Sequence, residues 1–532
     1  MKRVILISSA AYVEPALEAE FGRIPPAFLP LGNRRLFVHQ RLALGDSATR
    51  VLLSLPDDFT PEAADLDLLQ RLDIEVVLVP AGLSLGQSVV YVINMTATAG
   101  GGLQLLHGDT LIRGLDLGPR DVVSIATEAP PGYRWGYVQV CDGRLDVSTP
   151  ESRPDAAVAL SGYFAFSDTG VLVQSITRRS GDFLQGLADY SAVRPVTTTT
   201  PPQWFDFGHI NTYHQSRQAV TTQRAFNTLV ASRRDISKSG TNPRKIEAEA
   251  RWFQSLPPPM RVYTPAFLGL RRDAATLSYG VEYLHLPTLS DLFVFGRLSR
   301  RAWENILGSC KEFLDSCAAH TEGVPAASSR QTLYADKTLS RLEQFSRQSG
   351  VSLSAPCRFD GVGLPSLEQM ATRAASAIPA LPGATQTLVH GDFCFSNILY
   401  DFRADGIRVI DPRGLDADDQ FSVFGDIRYD IGKLYHSAIG KYDFIMADYY
   451  ELTQRTLLDV TLTVPDNIST RGLADAFHQH SFAGYRPGDA AAHAICVLLF
   501  LSMLPLHRDD PRRQAALLAN AMRLFVDLDK TV

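Results

Sequence analysis

Short apolar runs recur along the first quarter of the chain, with room for a helix between most of them: RVILIS, RVLLSL, IEVVLV, GLQLLHGD and DVVSIAT. Runs with little polar alternation mark strands buried on both faces, so the spacing predicts an α/β layer on a mostly parallel sheet. The Thr/Pro-rich stretch RPVTTTTPPQW interrupts that rhythm, and from about residue 295 the apolar period lengthens to that of amphipathic helices, as in RAWENILGSCKEFLDSCAAH. A domain boundary is expected near residues 215–225. The apolar start MKRVILISSAAYVEP is too short for a secretory leader and fits a first buried strand. AICVLLFLSMLPL, from Ala494 to Leu506, is the most apolar segment. It falls short of the roughly 20 residues a bilayer span needs, and predicts a buried helix.

Length sharpens this picture. At 532 residues the chain exceeds what one hydrophobic core usually supports, so at least two domains are expected. The net charge of −6 comes without a block of one sign, which gives no electrostatic case for a nucleic-acid partner or a membrane surface. Membrane insertion is not expected either. The six cysteines, at 141, 310, 317, 357, 394 and 496, are scattered with no Cys-x-x-Cys. That pattern argues against a zinc site or a disulfide framework and suits a reducing cytoplasm.

Candidate chemistry concentrates in LVHGDFCFSNILYDFRADGIRVIDPRG, from Leu388 to Gly414. A strand delivers His390-Gly-Asp392 to a turn, and a second strand ends in Asp411. Two carboxylates and the Asn397 amide can converge there. Phosphoryl transfer asks for that set: one carboxylate for the attacking hydroxyl, an amide and a carboxylate for magnesium on the nucleotide phosphates. The stretch resembles the catalytic loop of the aminoglycoside phosphotransferase and choline kinase-like families. The resemblance implies Asp392 as catalytic base, Asn397 and Asp411 as magnesium ligands, and His390 as an organiser of the loop. GDIRYDIGKLYHS, from Gly425 to Ser437, resembles the same families' downstream helix, with Asp430 as a brace. Such a kinase also needs a phosphate-binding lysine and a glutamate that positions it. RDISKSGTNPRKIEAEARWFQSLP offers Lys238 and Glu249, with Lys245 and Glu247 as competitors. In SYGVEYLHLPTL, Glu282 and Leu284 are the expected adenine contacts at the hinge. No Gly-rich phosphate loop is visible in RAFNTLVASRRD.

PPAFLPLGNRRLFVHQ, from Pro25, resembles the segment after the signature loop of sugar nucleotidyltransferases. LGQSVVYVIN, LLHGD, RWGYVQV, SGYFAFS and WFDFGHINTYHQS follow in that family's order. The resemblance implies a Rossmann-like nucleotidyltransferase sheet in which Asp109 and Asp206 hold magnesium between two substrates' phosphates. Two departures stand out. SSAAYVEPALEAEFGR replaces the Gly-rich nucleotide loop, and Pro26 stands where a lysine is expected. Arg23, Arg34 and Arg35 are the candidate substitutes.

The expected architecture is an α/β nucleotidyltransferase-like domain over 1–218, then an α+β bilobed protein-kinase-like domain with a small lobe over 219–285 and a helical large lobe over 286–532. The expected activity is ATP- and Mg²⁺-dependent phosphorylation of a hydroxyl on a sugar, polyol or amino alcohol. The first domain would use or bind a second NTP or a nucleotide-sugar, in the setting of capsule or surface-glycan precursor supply. The competing expectation is a non-catalytic nucleotide-binding scaffold. The sequence sets no oligomeric state.

Overall fold

The computed structural model describes residues 4–45, 50–96, 98, 101–114, 116–118, 120–126, 128–129, 133, 135–148, 157–221, 227–231, 234–272, 276–322, 331–379, 386–416, 418–489 and 491–530. Arg134, at the head of RWGYVQV, and much of RAFNTLVASRRD lie outside the described residues. Contacts divide the chain into two units, Met1–Thr221 and Thr222–Val532.

In the first unit, strands Val4–Ser8, Arg50–Pro56, Ile74–Val79 and Leu103–His107 pair in parallel. Their order places Val4–Ser8 between Arg50–Pro56 and Leu103–His107, with Ile74–Val79 at the edge. Burial explains the apolar runs. Arg50–Pro56 is buried at every position after its first, whereas the edge strand alternates, exposing Glu75 and Leu78. Val158–Phe166 then inserts antiparallel between Leu103–His107 and Val122–Ala126. The sheet is therefore mixed, not simply parallel. The core gathers Leu6, Leu52, Val89, Leu105, Phe164 and Leu187 between the sheet and its helices. Arg35 is buried here, paired through two contacts of 2.9 Å with buried Asp65 and donating to the Phe28 carbonyl. It braces a helix start and is not free for a phosphate.

The second unit opens with a four-stranded antiparallel sheet in the order Asn227–Ala231, Asp235–Gly240, Leu277–Glu282, Phe267–Arg272. Helix Pro243–Ser255 packs on it. Pro243 sits in its first turn and Asn242 caps the Lys245 amide, a standard helix start. Ile246, Glu249, Ala250 and Phe253 share its buried face at helical spacing. The remainder is mostly helical and includes Arg300–Ala318, Ile427–Ala438, Ala492–Met503 and Pro511–Asp529. Ala492–Met503 is buried almost throughout, and no helix among the described residues is long and apolar enough to cross a membrane. A second four-stranded sheet pairs Val362–Ser366, Pro356–Phe359, Asp459–Thr463 and Glu451–Thr456. The sequence reading missed it because Glu451–Thr456 is exposed at nearly every position and shows no apolar alternation.

His436, on helix Ile427–Ala438, is 1% exposed. It is wedged between Tyr442 and Phe500 at ring distances of 4.4 and 4.5 Å, and neither ring nitrogen has a hydrogen-bond partner among the described residues. Burial, reinforced by the Lys433 charge, holds the imidazole well below its ordinary 6.5. A histidine kept neutral in the fold contributes stability that is complete above the unfolded value and lost as pH falls below it, at up to about 1.4 kcal/mol per pH unit. His436→Phe keeps the volume and removes the titration. Urea midpoints measured from pH 7.5 to 5.5 are expected to fall less steeply for the variant than for the native chain, and parallel curves would contradict this.

Candidate active site

The stretch singled out by sequence folds into one loop and one hairpin. Strand Gln386–Leu388 leads into His390-Gly391-Asp392, a 3₁₀ turn covers Phe395–Asn397, and strands Ile398–Asp401 and Gly406–Val409 pair antiparallel. Gly391 has φ +77°, and an added Cβ would come within 2.7 Å of the Arg413 Cβ, so the turn requires glycine. Gly414, at φ +63°, lies against the Ala248 carbonyl and tolerates no side chain either.

Buried side chains hold the loop backbone. Asp430, fully buried, accepts from the His390 amide at 2.6 Å and the Gly391 amide at 2.8 Å. Burial pushes its carboxyl up to about 7, against those amide donors. The Trp252 indole donates to the Val389 carbonyl at 2.8 Å. Burial holds the His390 imidazole at about 4, so it is neutral. The Asp392 amide points to Nδ1 at 3.3 Å, which assigns the ring proton to Nε2 and makes that nitrogen the donor to the Ile410 carbonyl at 3.0 Å. His390 thereby ties the loop to the strand that carries Asp411.

Asp392 keeps 40% of its side chain exposed, and each of its oxygens has a partner. Lys433 Nζ lies 2.7 Å from Oδ1, and Asn397 Nδ2 donates to Oδ2 at 3.1 Å and to the Asp392 carbonyl at 3.0 Å. Burial opposes ionisation of Asp392, but the Lys433 ammonium outweighs it and holds the carboxyl at about 2. Asn397 and Asp411 sit at adjoining strand ends, where the Ile410 amide donates to the Asn397 carbonyl at 3.0 Å. Asp411 adopts φ 57°, a left-handed conformation that aspartate tolerates better than most residues. An amide oxygen and a carboxylate suit magnesium, which takes one or two protein oxygens and fills its octahedron with phosphate oxygens and water. Among the described residues no group of three His, Cys, Asp or Glu side chains could hold a metal alone.

Lys238, 4% exposed, lies 2.7 Å from Glu249 Oε2 and 3.0 Å from Asp411 Oδ1. Burial opposes its charge, but Asp411 and Glu249 together raise it above the usual lysine value. The Tyr279 hydroxyl donates to Glu249 at 2.8 Å. The competing residues go elsewhere: Lys245 is exposed, and Glu247 pairs with Arg251 at 2.7 Å. At the hinge, the Glu282 amide donates to the Ala266 carbonyl at 2.9 Å, so it is not available to adenine. The Leu284 carbonyl accepts from the Leu286 amide at 2.9 Å, and the Leu284 amide is a candidate contact.

In the first unit, Asp109 and Asp206 flank Gly208, where an added Cβ would lie 2.7 Å from Asp109 Oδ2 and 3.5 Å from Asp206 Oδ1. The Thr212 hydroxyl donates to Asp206, yet burial and then the Asp109 charge push the Asp206 carboxyl up to about 7. Both aspartates line a cavity of about 690 Å³ together with His107, Trp135, Trp204 and His209. Arg179 also lines it but is paired with Asp189 at 2.7 Å, and Arg23 is paired with Asp58 at 2.9 Å. The sheet thus brings the two predicted carboxylates together, while the arginines offered as phosphate ligands, Arg35 included, are engaged with carboxylates or, for Arg34, absent from the lining.

Sequence reading missed Lys433 and Tyr279. Lys433 was legible in principle, because it follows Asp430 by three residues and so shares its helix face. Tyr279 carried no signal, since a strand tyrosine looks like core until its hydroxyl finds Glu249.

Residues 216–452 match the model of a family described as "Phosphotransferase enzyme family". No curated protein matches the chain. Among solved structures, the nucleoside-diphosphate-sugar pyrophosphorylase from Vibrio cholerae RC9 is similar at 11% identity, over 40% of this chain and 99% of that one, with a TM-score of 0.34. The inositol-1-phosphate CTP transferase from T. maritima is 14% identical over 42% of this chain and 98% of its own, with a TM-score of 0.32. A thermostable mutant of an aminoglycoside phosphotransferase is 12% identical over 57% of this chain and 92% of its own, with a TM-score of 0.36.

Proposed function

We propose, from the match of residues 216–452 to the phosphotransferase enzyme family, that the chain transfers the γ-phosphoryl group of ATP to a hydroxyl of a small molecule. The observation that carries this reading is the convergence of Lys238, Asn397 and Asp411 beside Asp392, with Asp392 still open to solvent. Lys238, fixed by Glu249, would grip the nucleotide phosphates. Asn397 and Asp411 would hold magnesium, which supplies charge neutralisation at the phosphates. The Leu284 amide would meet the adenine.

Asp392 faces the acceptor. A carboxyl held at about 2 is a weak base, so it cannot strip a free alcohol in advance. It orients the hydroxyl, and takes the proton as the new O–P bond forms and the bond from γ-phosphorus to the ADP oxygen breaks. That timing suits a loose transition state, where positioning and charge stabilisation dominate. The test is ADP formation from ATP across a library of alcohols, with and without Mg²⁺. Turnover that requires both metal and a particular alcohol is expected; binding of ATP without any acceptor-dependent ADP formation would favour the scaffold reading instead.

We further propose that the first unit binds a nucleotide or nucleotide-sugar and transfers nucleotidyl groups poorly. Its cavity retains Asp109 and Asp206. Among the described residues, no lysine lines the cavity, and its one arginine is already paired.

A further inference from the structure

Beyond Oδ1 of Asp392, on the side away from Asn397, cations gather. Lys433 contacts Oδ1 at 2.7 Å. Tyr429 lies one turn earlier on the same helix, and Lys337 reaches it from helix Lys337–Ser349, with Nζ 3.5 Å from the phenol oxygen and 5.5 Å from the ring centre. Arg413, from the loop after Asp411, packs against Gly391 and donates to the Asp416 carbonyl at 3.0 Å. Neither Lys337 nor Arg413 forms an ion pair with a carboxylate among the described residues, whereas Lys433 has only the catalytic one. Lys337, Arg413 and Lys433 are each partly exposed, Lys433 over 14% of its side chain.

The electrostatics agree. Burial alone would raise the Tyr429 phenol, yet Lys337, Lys433 and Arg413 together bring it below its ordinary value. Tyr429 supports the charge on Lys337, but burial and the Arg413 and Lys433 charges leave that ammonium below the usual lysine range. Three cations converging on one phenol repel one another, and the arrangement is relieved by an anion placed among them. On the proposed function the nucleotide phosphates would be met by other groups, Lys238 and the candidate metal ligands Asn397 and Asp411.

We propose that Lys337, Arg413, Lys433 and the Tyr429 hydroxyl form a subsite for an anionic group, phosphate or carboxylate, carried by the hydroxyl acceptor. This rests on the phosphotransferase reading and narrows it: the acceptor is a phosphorylated or carboxylated polyol or sugar, and cationic amino sugars are disfavoured by like charge. Anchoring the acceptor's anion on this cluster leaves a hydroxyl of the same molecule beside Asp392.

The test compares matched acceptors with the full chain and Mg²⁺·ATP. Glycerol 3-phosphate and glucose 6-phosphate form the phosphate arm, glycerate and glucuronate the carboxylate arm, glycerol and glucose the neutral one, and glucosamine the cationic one. An anionic arm is expected to exceed its neutral counterpart in kcat/KM by about 10- to 100-fold, the worth of a charge-assisted contact. Lys337→Met and Arg413→Met should raise KM for that arm by a similar factor with a smaller change in kcat, and Lys337→Arg should restore it. Equal or better use of the neutral or cationic arm overturns the proposal. Calorimetric titration of the same compounds into the AMP-PNP·Mg²⁺ complex keeps the two readings apart. Anion binding that weakens in Lys337→Met, with no turnover on any alcohol, preserves the subsite and removes the phosphotransferase assignment. No anion binding, or binding indifferent to both Met variants, removes the subsite.

Discussion

Asp392→Asn is expected to lower phosphoryl transfer by about 10²- to 10⁴-fold, the usual worth of a positioned proton acceptor, while ATP binding stays near the native value. The substitution keeps shape and can retain the Asn397 contact, since an amide oxygen accepts where the carboxylate oxygen did. What it removes is the charge that neutralises Lys433, 2.7 Å away, and that on the proposed function faces the acceptor hydroxyl. Lys433 is then left without its carboxylate partner, and His390 cannot replace the lost proton acceptor: its Nε2 already carries a proton, given to the Ile410 carbonyl, and its Nδ1 lone pair faces the Asp392 amide. Stopped-time ADP assays with a saturating acceptor, paired with nucleotide titration, separate the two quantities. Turnover within a few-fold of native would remove Asp392 from the chemistry, and a parallel loss of ATP affinity would show that the loop had collapsed.

The same variant serves for the second prediction, because it silences the kinase and leaves the first unit intact. Full-length Asp392→Asn chain, given Mg²⁺, the four NTPs and a panel of sugar phosphates, is expected to release no pyrophosphate above background. Transferring a nucleotidyl group leaves charge on the departing pyrophosphate, and each preorganised donor aimed at such charge is worth about 10²–10³ in rate. The loop after strand Val4–Ser8 has no glycine before Gly22, Pro26 supplies no cation, and Arg23, Arg35 and Arg179 are each held by an aspartate. Asp109 and Asp206 would still hold a metal without those donors, so affinity for a nucleotide is expected to persist where turnover does not. Magnesium-dependent pyrophosphate release with any NTP would make this unit an enzyme and show that other donors suffice.

The sequence by itself determined a good deal. Local patterns made the central strands and the loop from Leu388 to Gly414 readable, because burial on both faces and tight turns each leave a short-range signature. The order His390, Asp392, Asn397, Asp411 was legible for the same reason: all four fall within one loop and one hairpin. It also made Asp109 and Asp206 nameable as partners, though not their meeting across Gly208.

Only the tertiary structure decided which charges remain available. Lys238 and Lys245 look alike in sequence; folding buries the first between Glu249 and Asp411 and leaves the second in water. Arg35 was a candidate phosphate ligand until packing matched it to Asp65, 30 residues away. The antiparallel insertion of Val158–Phe166 and the sheet containing Glu451–Thr456 were equally hidden, since strand order and exposed pairing depend on partners far along the chain. Lys337, Arg413 and Lys433 show no relation in sequence and converge on Tyr429 only when three separate elements pack together. A residue's type and neighbours are local, whereas its counter-charge, its burial and therefore its chemistry are set by whatever the fold brings against it.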